Sequence, residues 1–299
     1  MSIFLLSVDM PDMDFIMCHR CHYTKTAYRA TRHNKSGNKK YYQCKRCAAY
    51  TTQDDGFWKM KHPAEVVSAA LEIHHSGVSF NETSDLLHRL FGIKVSDVGI
   101  LKWTRKYAKQ VEQFKKMQRP SLSGHWSVDE KFVKIKGKKG YLWIIKDRKR
   151  GFVISHVLSE DRKAKNANKL FRKAKKFGSP KSVTHDGYPG YPKQIRKNYP
   201  DADDFTSKGP WHKHNNNSSE STNSEFNSRY KIMRGFGGTE SSDDLISGWE
   251  THHNFVKLDK RKGKTNAERV GIKEVPRRMP WMYMIKKTAY MKIILSANF

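Results

Sequence analysis

The chain has 299 residues, enough for one domain of catalytic size with one or two small ones beside it. Its 37% hydrophobic and 12% aromatic content excludes wholesale disorder, and runs such as "SIFLLSV" and "MKIILSA" fall short of the roughly 18–20 apolar residues of a membrane span. Fifty-eight Lys and Arg against 29 Asp and Glu leave +29, which points to nucleic acid as the partner and not to a membrane.

The opening "MSIFLLSVDMPDM" lacks the basic start and small-residue cleavage site of a secretory signal, so the expected location is intracellular. In a reducing compartment cysteines serve as ligands more often than as disulfides. All four fall in one segment, as "CHRC" (Cys18, Cys21) and "CKRC" (Cys44, Cys47), with 22 residues between the two pairs. Two C-x2-C knuckles at that spacing predict a zinc ribbon over residues 15–60, the four thiolates completing a tetrahedron around Zn²⁺. So small a core needs such a staple. His19, His22 and His33 are not required as ligands, and the basic, aromatic "YRATRHNKSGNKKYYQ" between the knuckles suits contact with a phosphate backbone.

Residues 61–118 read as three helices. Pro63 opens the first, Val66, Val67, Ala70, Leu71 and His74 form its stripe, and Gly77 ends it. "SFNE" offers a capping box, Ser79 with Glu82, before Leu86, Leu87 and Leu90. Ser96 caps the third helix, which places Ile100, Trp103, Tyr107, Val111 and Phe114 on one face and Lys102, Arg105, Lys106 and Lys109 on the other. This order describes a helix-turn-helix unit whose basic last helix would enter a major groove.

After the turn-rich "RPSLSG" the period changes to two, predicting strands at 126–136, 141–147 and 152–157 joined by "GKKG" and "RKRG" turns. A helix follows, then the strand "KSVTHDG", the helix "YPKQIRKNY", a weak strand near 203–207 and a long helix from about 217 to 236. Three antiparallel strands followed by alternating helix and strand give the order of an RNase H-like α/β fold, a mixed five-stranded sheet flanked by helices, over residues 125–258. Residues 259–299 are left as a C-terminal tail.

In such a sheet the first strand is central and the fourth lies parallel beside it. Asp129 is on the first, Asp186 ends the fourth, and Glu220, 34 positions later, begins the long helix. Converging carboxylates repel one another, and hard divalent cations, Mg²⁺ or Mn²⁺, relieve that repulsion. Two such ions about 3.5–4 Å apart suit in-line phosphoryl displacement. Asp147, Glu160, Asp161, Asp203 and Asp204 read as solvated or capping residues, His185 as a surface residue or one that supports Asp186, and Glu130 as pointing away on the opposite strand face. Lys134, Lys136, Lys138 and Lys139, with Arg229 and Lys231 on the long helix, are candidates for holding a DNA backbone.

"WSVDEKFVKIKGKKGYLW", "THDGYPGYPKQI", "NNNSSE" followed by "KIMRGF", and "WETHHNFVK" followed by "KTNAERVGI" together resemble DDE-type insertion-sequence transposases, nearest to insertion-sequence family six and its archaeal relatives. The resemblance spans roughly residues 15–272 and implies that Asp129, Asp186 and Glu220 are the catalytic triple. It also implies Mg²⁺-dependent cleavage at terminal inverted repeats, 3′-hydroxyl strand transfer, double-stranded DNA as partner, and a homodimer or larger assembly on the nucleoid. Two positions depart from the family pattern: Ser221 stands where Arg is common, and Asn227 where a basic residue is common. These departures keep open an alternative, a catalytically dead DNA-binding protein derived from a transposase.

Overall fold

The structure, a computed structural model, describes residues 16–34, 37–52, 55–58, 60–209, 211–212 and 215–297. The opening stretch read for a secretory signal lies outside them. Strands β1 (Thr26–Asn34), β2 (Gly37–Cys44) and β3 (Tyr50–Thr52) form an antiparallel sheet beside the two cysteine knuckles. The knuckles are built alike. Each ends on a residue with positive φ, His22 at 55° and Ala48 at 54°, whose N–H returns to the carbonyl of Cys18 or Cys44.

Helices α1 (Ala64–His75), α2 (Phe80–Phe91) and α3 (Asp97–Met117) follow. The Ser79–Glu82 capping box is present in both directions, and the Ser96 hydroxyl accepts from the Gly99 N–H. Ile100, Trp103, Tyr107, Val111 and Phe114 are buried, as the helical stripe requires.

Period-two patterning then produces β4 (His125–Ile135), β5 (Lys138–Asp147) and β6 (Val153–Ser159). The β4–β5 turn is the two-residue loop Lys136–Gly137, both with positive φ, a geometry that twists with its strands. Next come α4 (Ala164–Ala174), β7 (Ser182–His185), α5 (Gly190–Asn198), β8 (Asp203–Thr206) and α6 (Asn217–Met233). The sheet order is β6-β5-β4-β7-β8, antiparallel across the first three and parallel from β4 to β8, the RNase H-like arrangement.

The chain continues through α7 (Thr239–Thr251), which runs into a π-helical turn at His252–Val256. A short hairpin of β9 (Leu258–Asp259) and β10 (Lys264–Thr265), then α8 (Asn266–Arg269) and α9 (Pro280–Ala297), complete it. Val133, Ile135 and Ile144 meet Phe226 of α6 and Trp249 of α7 on one face of the sheet. Trp126, Val128, Trp143 and Ile145 meet Phe171 of α4 and Tyr191 of α5 on the other. Among the described residues no helix is long and apolar enough to cross a membrane.

Two expectations need correction. The described part of the segment read as a tail is not an appendage, because Trp281, Met284 and Ile285 of α9 are buried in the same core as Tyr107, Val111 and Phe114 of α3. Of the two roles expected of Asp147, it caps and is not solvated: fully buried, it accepts from the Ser123 N–H and hydroxyl and from the Lys149 and Arg150 N–H groups, closing the β5–β6 turn.

Candidate active site

Strand β7 pairs with β4 only as far as Ser127 opposite Thr184, so β4 runs on beyond the end of its neighbour. Asp129 and Glu130 lie in that free stretch, and Asp186 is the first residue past β7. The place where the two parallel strands part company therefore gathers carboxylates. One oxygen from each of Asp129, Glu130 and Asp186 lies within 4.8 Å of the others, a grouping able to hold a cation.

Asp129 is 9% exposed on the face that meets α6, where one oxygen accepts from the Asn223 side chain at 2.8 Å and the other from the Glu130 N–H at 3.0 Å. Burial, then the charges of Asp186 and Glu130, push its pKa up to about 7. A carboxylate held that far above its ordinary range is one that a cation would return to its charged form.

Glu130 corrects a reading of the strand pattern. It does face the opposite side of the sheet, but past the end of β7 its carboxylate reaches Asp186 around the open edge. Tyr191 donates to one of its oxygens and Arg162 to the other, with the Arg162 Nε at 2.6 Å. Arg162 also stands 4.0 Å from Asp186 and stacks over the Tyr188 ring. Glu130 thus has a direct ion-pair partner in Arg162, whereas the hydrogen bonds to Asp129 come from an amide side chain and the backbone, with the Lys131 charge nearby.

His185 is buried, not at the surface. Its Nδ1 accepts the Gly187 N–H at 2.9 Å, which leaves the proton on Nε2, donated to Asp204 at 2.9 Å. This bond clamps the turn that carries Asp186, and it gives Asp204, expected to be solvated or capping, a structural partner.

The first turns of α6 are tied to the sheet at three points. Ser219 bonds Ser127 at 2.9 Å, Asn223 bonds Asp129, and the buried Lys146 of β5 donates to the Ser218 carbonyl at 2.8 Å and to Thr222. Burial pulls the Lys146 pKa down to about 8. Glu220 lies three residues before Asn223, on the same side of the helix, but it is exposed and its carboxylate is not among the three that converge. Sequence reasoning missed Asn223, Arg162, Tyr191 and Lys146. Only Asn223, at helical spacing from Glu220, left a usable signal.

The basic residues divide. Lys134, Lys136, Lys138 and Lys139 are exposed on the β4–β5 hairpin, and Lys102, Lys109 and Lys231 are exposed on their helices. Lys106 is exposed along its stem but donates to the Trp58 carbonyl, and Arg105 is half-buried near Asp244 of α7. Arg229 is a correction: it is buried, donates to the Val78 carbonyl and to His74, and so fastens α6 to the end of α1 instead of facing DNA. Its place after Thr222 and Phe226 on the inner stripe of α6 explains the burial.

In the ribbon, Cys18, Cys21, Cys44 and Cys47 bring their sulfurs within 4.8 Å of one another, a geometry that could hold a metal. The Arg20 and Arg46 N–H groups point at the sulfurs of Cys18 and Cys44 at 3.4 and 3.3 Å. Hydrogen bonds of that kind favour thiolates.

Residues 123–259 match a family model described as a DDE domain, DDE_Tnp_IS240. The transposase for insertion sequence-like element IS431mec of Staphylococcus aureus is 29% identical over 113 residues, 38% of this chain and 50% of that protein. The transposase for insertion sequence element IS257 in transposon Tn4003, also from Staphylococcus aureus, matches at 29% over the same shares. The chain thus spans about half the length of the curated relatives it matches. Among solved structures, the HTLV-2 integrase catalytic core domain in complex with magnesium is similar at 17% identity and a TM-score of 0.38, covering 50% of this chain and 97% of that one.

Proposed function

We propose that this chain, whose residues 123–259 are a DDE domain of the insertion-sequence transposase type, binds the terminal inverted repeats of a mobile element, cleaves DNA there and joins the 3′-hydroxyl ends to target DNA. The observation that carries this reading is the meeting of Asp129 and Asp186 where β4 outruns β7. Asp129, Asp186 and Glu220 would hold two Mg²⁺ or Mn²⁺ ions, and Cys18, Cys21, Cys44 and Cys47 would hold Zn²⁺. Asp129 and Asp186, with Glu130, fit divalent ions by their donor chemistry, a cluster of hard oxygens in which burial and then the neighbouring charges push Asp129 toward protonation, while Glu220 lies outside that cluster. When bound, the ions supply charge for the attacking and leaving oxygens of a phosphodiester.

The chain's own groups do the rest. Asn223 and the Glu130 N–H orient Asp129, while His185 and Asp204 hold the turn of Asp186. Arg162 and Tyr191 keep the Glu130 charge from adding fully to the repulsion. The exposed lysines of the β4–β5 hairpin would hold the DNA backbone beside the acids without reading sequence. Lys102 and Lys109 would face the element end, and a homodimer or larger assembly in the cytoplasm would pair two ends on the nucleoid.

A second reading, a catalytically silent DNA-binding protein, draws on the exposed position of Glu220 outside the carboxylate cluster and on Ser221 and Asn227. Labelled element-end DNA incubated with Mn²⁺ separates the two. Specific nicking by wild type that vanishes in Asp129→Asn supports the enzyme; end binding with no nicking by either supports the silent binder.

A further inference from the structure

On the flank of α6 away from Asp129, a cleft of about 640 Å³ opens between the helix, the β5–β6 turn and the β9–β10 hairpin. Eight Lys and Arg line it against two carboxylates. Both acids already have partners. Glu225 takes His253 at 3.0 Å and Lys257 at 2.8 Å, and Asp259 accepts the Arg261 N–H at 3.0 Å and stands 3.7 Å from Arg269. Lys149, Lys260, Arg261 and Lys262 are left exposed, with no carboxylate within 4.0 Å among the described residues.

The hairpin that carries three of them is pre-shaped. Asp259 accepts from the N–H of Arg261 with its side chain and from those of Lys262 and Gly263 with its carbonyl, and Gly263 turns at a φ of 61°. Ser218, Ser221 and Thr222 form the α6 wall, while Ser219 and Asn223 face β4 on the other side. The cleft and the acids therefore lie on opposite flanks of one helix, roughly 10 Å across.

We infer that this cleft binds the sugar-phosphate backbone of duplex DNA next to the segment engaged by Asp129 and Asp186. The inference rests on the transposase reading and adds a second DNA-contacting surface to it. Unmatched cations on a fixed hairpin suit closely spaced phosphates, and phosphate contacts position a duplex without reading bases. No Phe, Tyr or Trp lines the cleft, so it lacks the stacking platforms by which single strands are held. Ser221 is uncharged and faces this cleft, so the charge at that flank comes from the hairpin.

The test measures binding of a labelled non-specific duplex to the full-length protein in EDTA, over a range of salt. Lys260→Gln/Arg261→Gln/Lys262→Gln should lower affinity about tenfold or more and reduce the slope of log K against log salt by about 2–3. The charge-matched control Arg172→Gln/Lys175→Gln/Lys197→Gln, on the other side of the sheet, should change the slope by less than about 1. In wild type, duplex should also protect Lys149, Lys260 and Lys262 from acetylation. If the hairpin variant keeps wild-type affinity and slope and those lysines stay reactive, the cleft assignment is overturned while the transposase reading stands. If wild type binds no duplex at all, both fall. Tighter binding of a single-stranded oligonucleotide than of duplex overturns the choice of ligand.

Discussion

Two places among the described residues gather three carboxylates, and they are built on opposite terms. At the ends of β4 and β7, Asp129 meets Asp186 and Glu130 without an ion-pair partner among the described residues, although the Lys131 charge acts on it, and its pKa is driven up to about 7. Between α3, α7 and β6, Glu112, Glu250 and Asp243 alternate with Lys115 and His156. Lys115 lies 2.7 Å from both Glu112 and Glu250, and His156 lies 2.6 Å from Glu250 and 3.3 Å from Asp243.

In that network the pairings overcome burial. Lys115 and then His156 hold Glu250 down to about 2, and Asp243 and Glu250 hold His156 up to about 9. Each group has a buried carboxylate at its centre, Asp129 in one and Glu250 in the other, but only Glu250 is paired directly with cationic side chains. The closed network joins the helical unit to the sheet; the open one, where Arg162 answers Glu130 and approaches Asp186, leaves Asp129 without an ion-pair partner among the described residues.

Breaking each in turn should give unlike results. Asp129→Asn should reduce DNA cleavage at least about a thousandfold, equivalent to roughly 4 kcal/mol of barrier, while thermal unfolding in EDTA shows no loss of stability. Lys115→Met should do the reverse, lowering stability by about 3–5 kcal/mol in urea titrations because the buried Glu250 and the partly exposed Glu112 lose their shared partner.

The network also sets a pH window. The folded pKa of His156, about 9, is above the ordinary value of 6.5, so its contribution is full below pH 6.5 and is lost as pH rises through 9. Glu250 and Asp243, both held to about 2, contribute fully above their ordinary values near 4 and lose that contribution as pH falls toward 2. Stability followed by urea titration should therefore decline from pH 6.5 to 9 in wild type and decline less in His156→Gln. A smaller contrast separates two basic residues on α6. Arg229→Ala should lower the melting temperature with little change in DNA affinity per folded molecule, whereas Lys231→Ala should weaken non-specific DNA binding by a few-fold and leave melting unchanged.

The difference between the two acid groups also explains what the sequence could tell. The five strands, their order and the helices between them follow from periodicity and turn residues, and Asp129 and Asp186 fall on strands whose parallel pairing is a property of the fold. Side-chain alternation placed Glu130 on the far face correctly, but not the stopping point of β7, which lets Glu130 reach round the edge. The acids of the closed network are scattered over 139 positions, from Glu112 to Glu250, and nothing local marks them as neighbours.

Two misses did leave a signal. Arg229 follows Thr222 and Phe226 on the buried stripe of its helix, and Trp281, Ile285, Thr288 and Ala289 repeat at helical spacing in the segment read as a tail.

The central claim is that Asp129 and Asp186 hold a divalent cation in register with DNA. The most direct measurement is an anomalous difference map, recorded at the manganese edge, from crystals of the full chain soaked in Mn²⁺. The account expects a peak bridging the Asp129 and Asp186 carboxylates, absent in crystals of Asp129→Asn. Manganese bound elsewhere with none between those two residues, in crystals where both carboxylates are ordered, would contradict it.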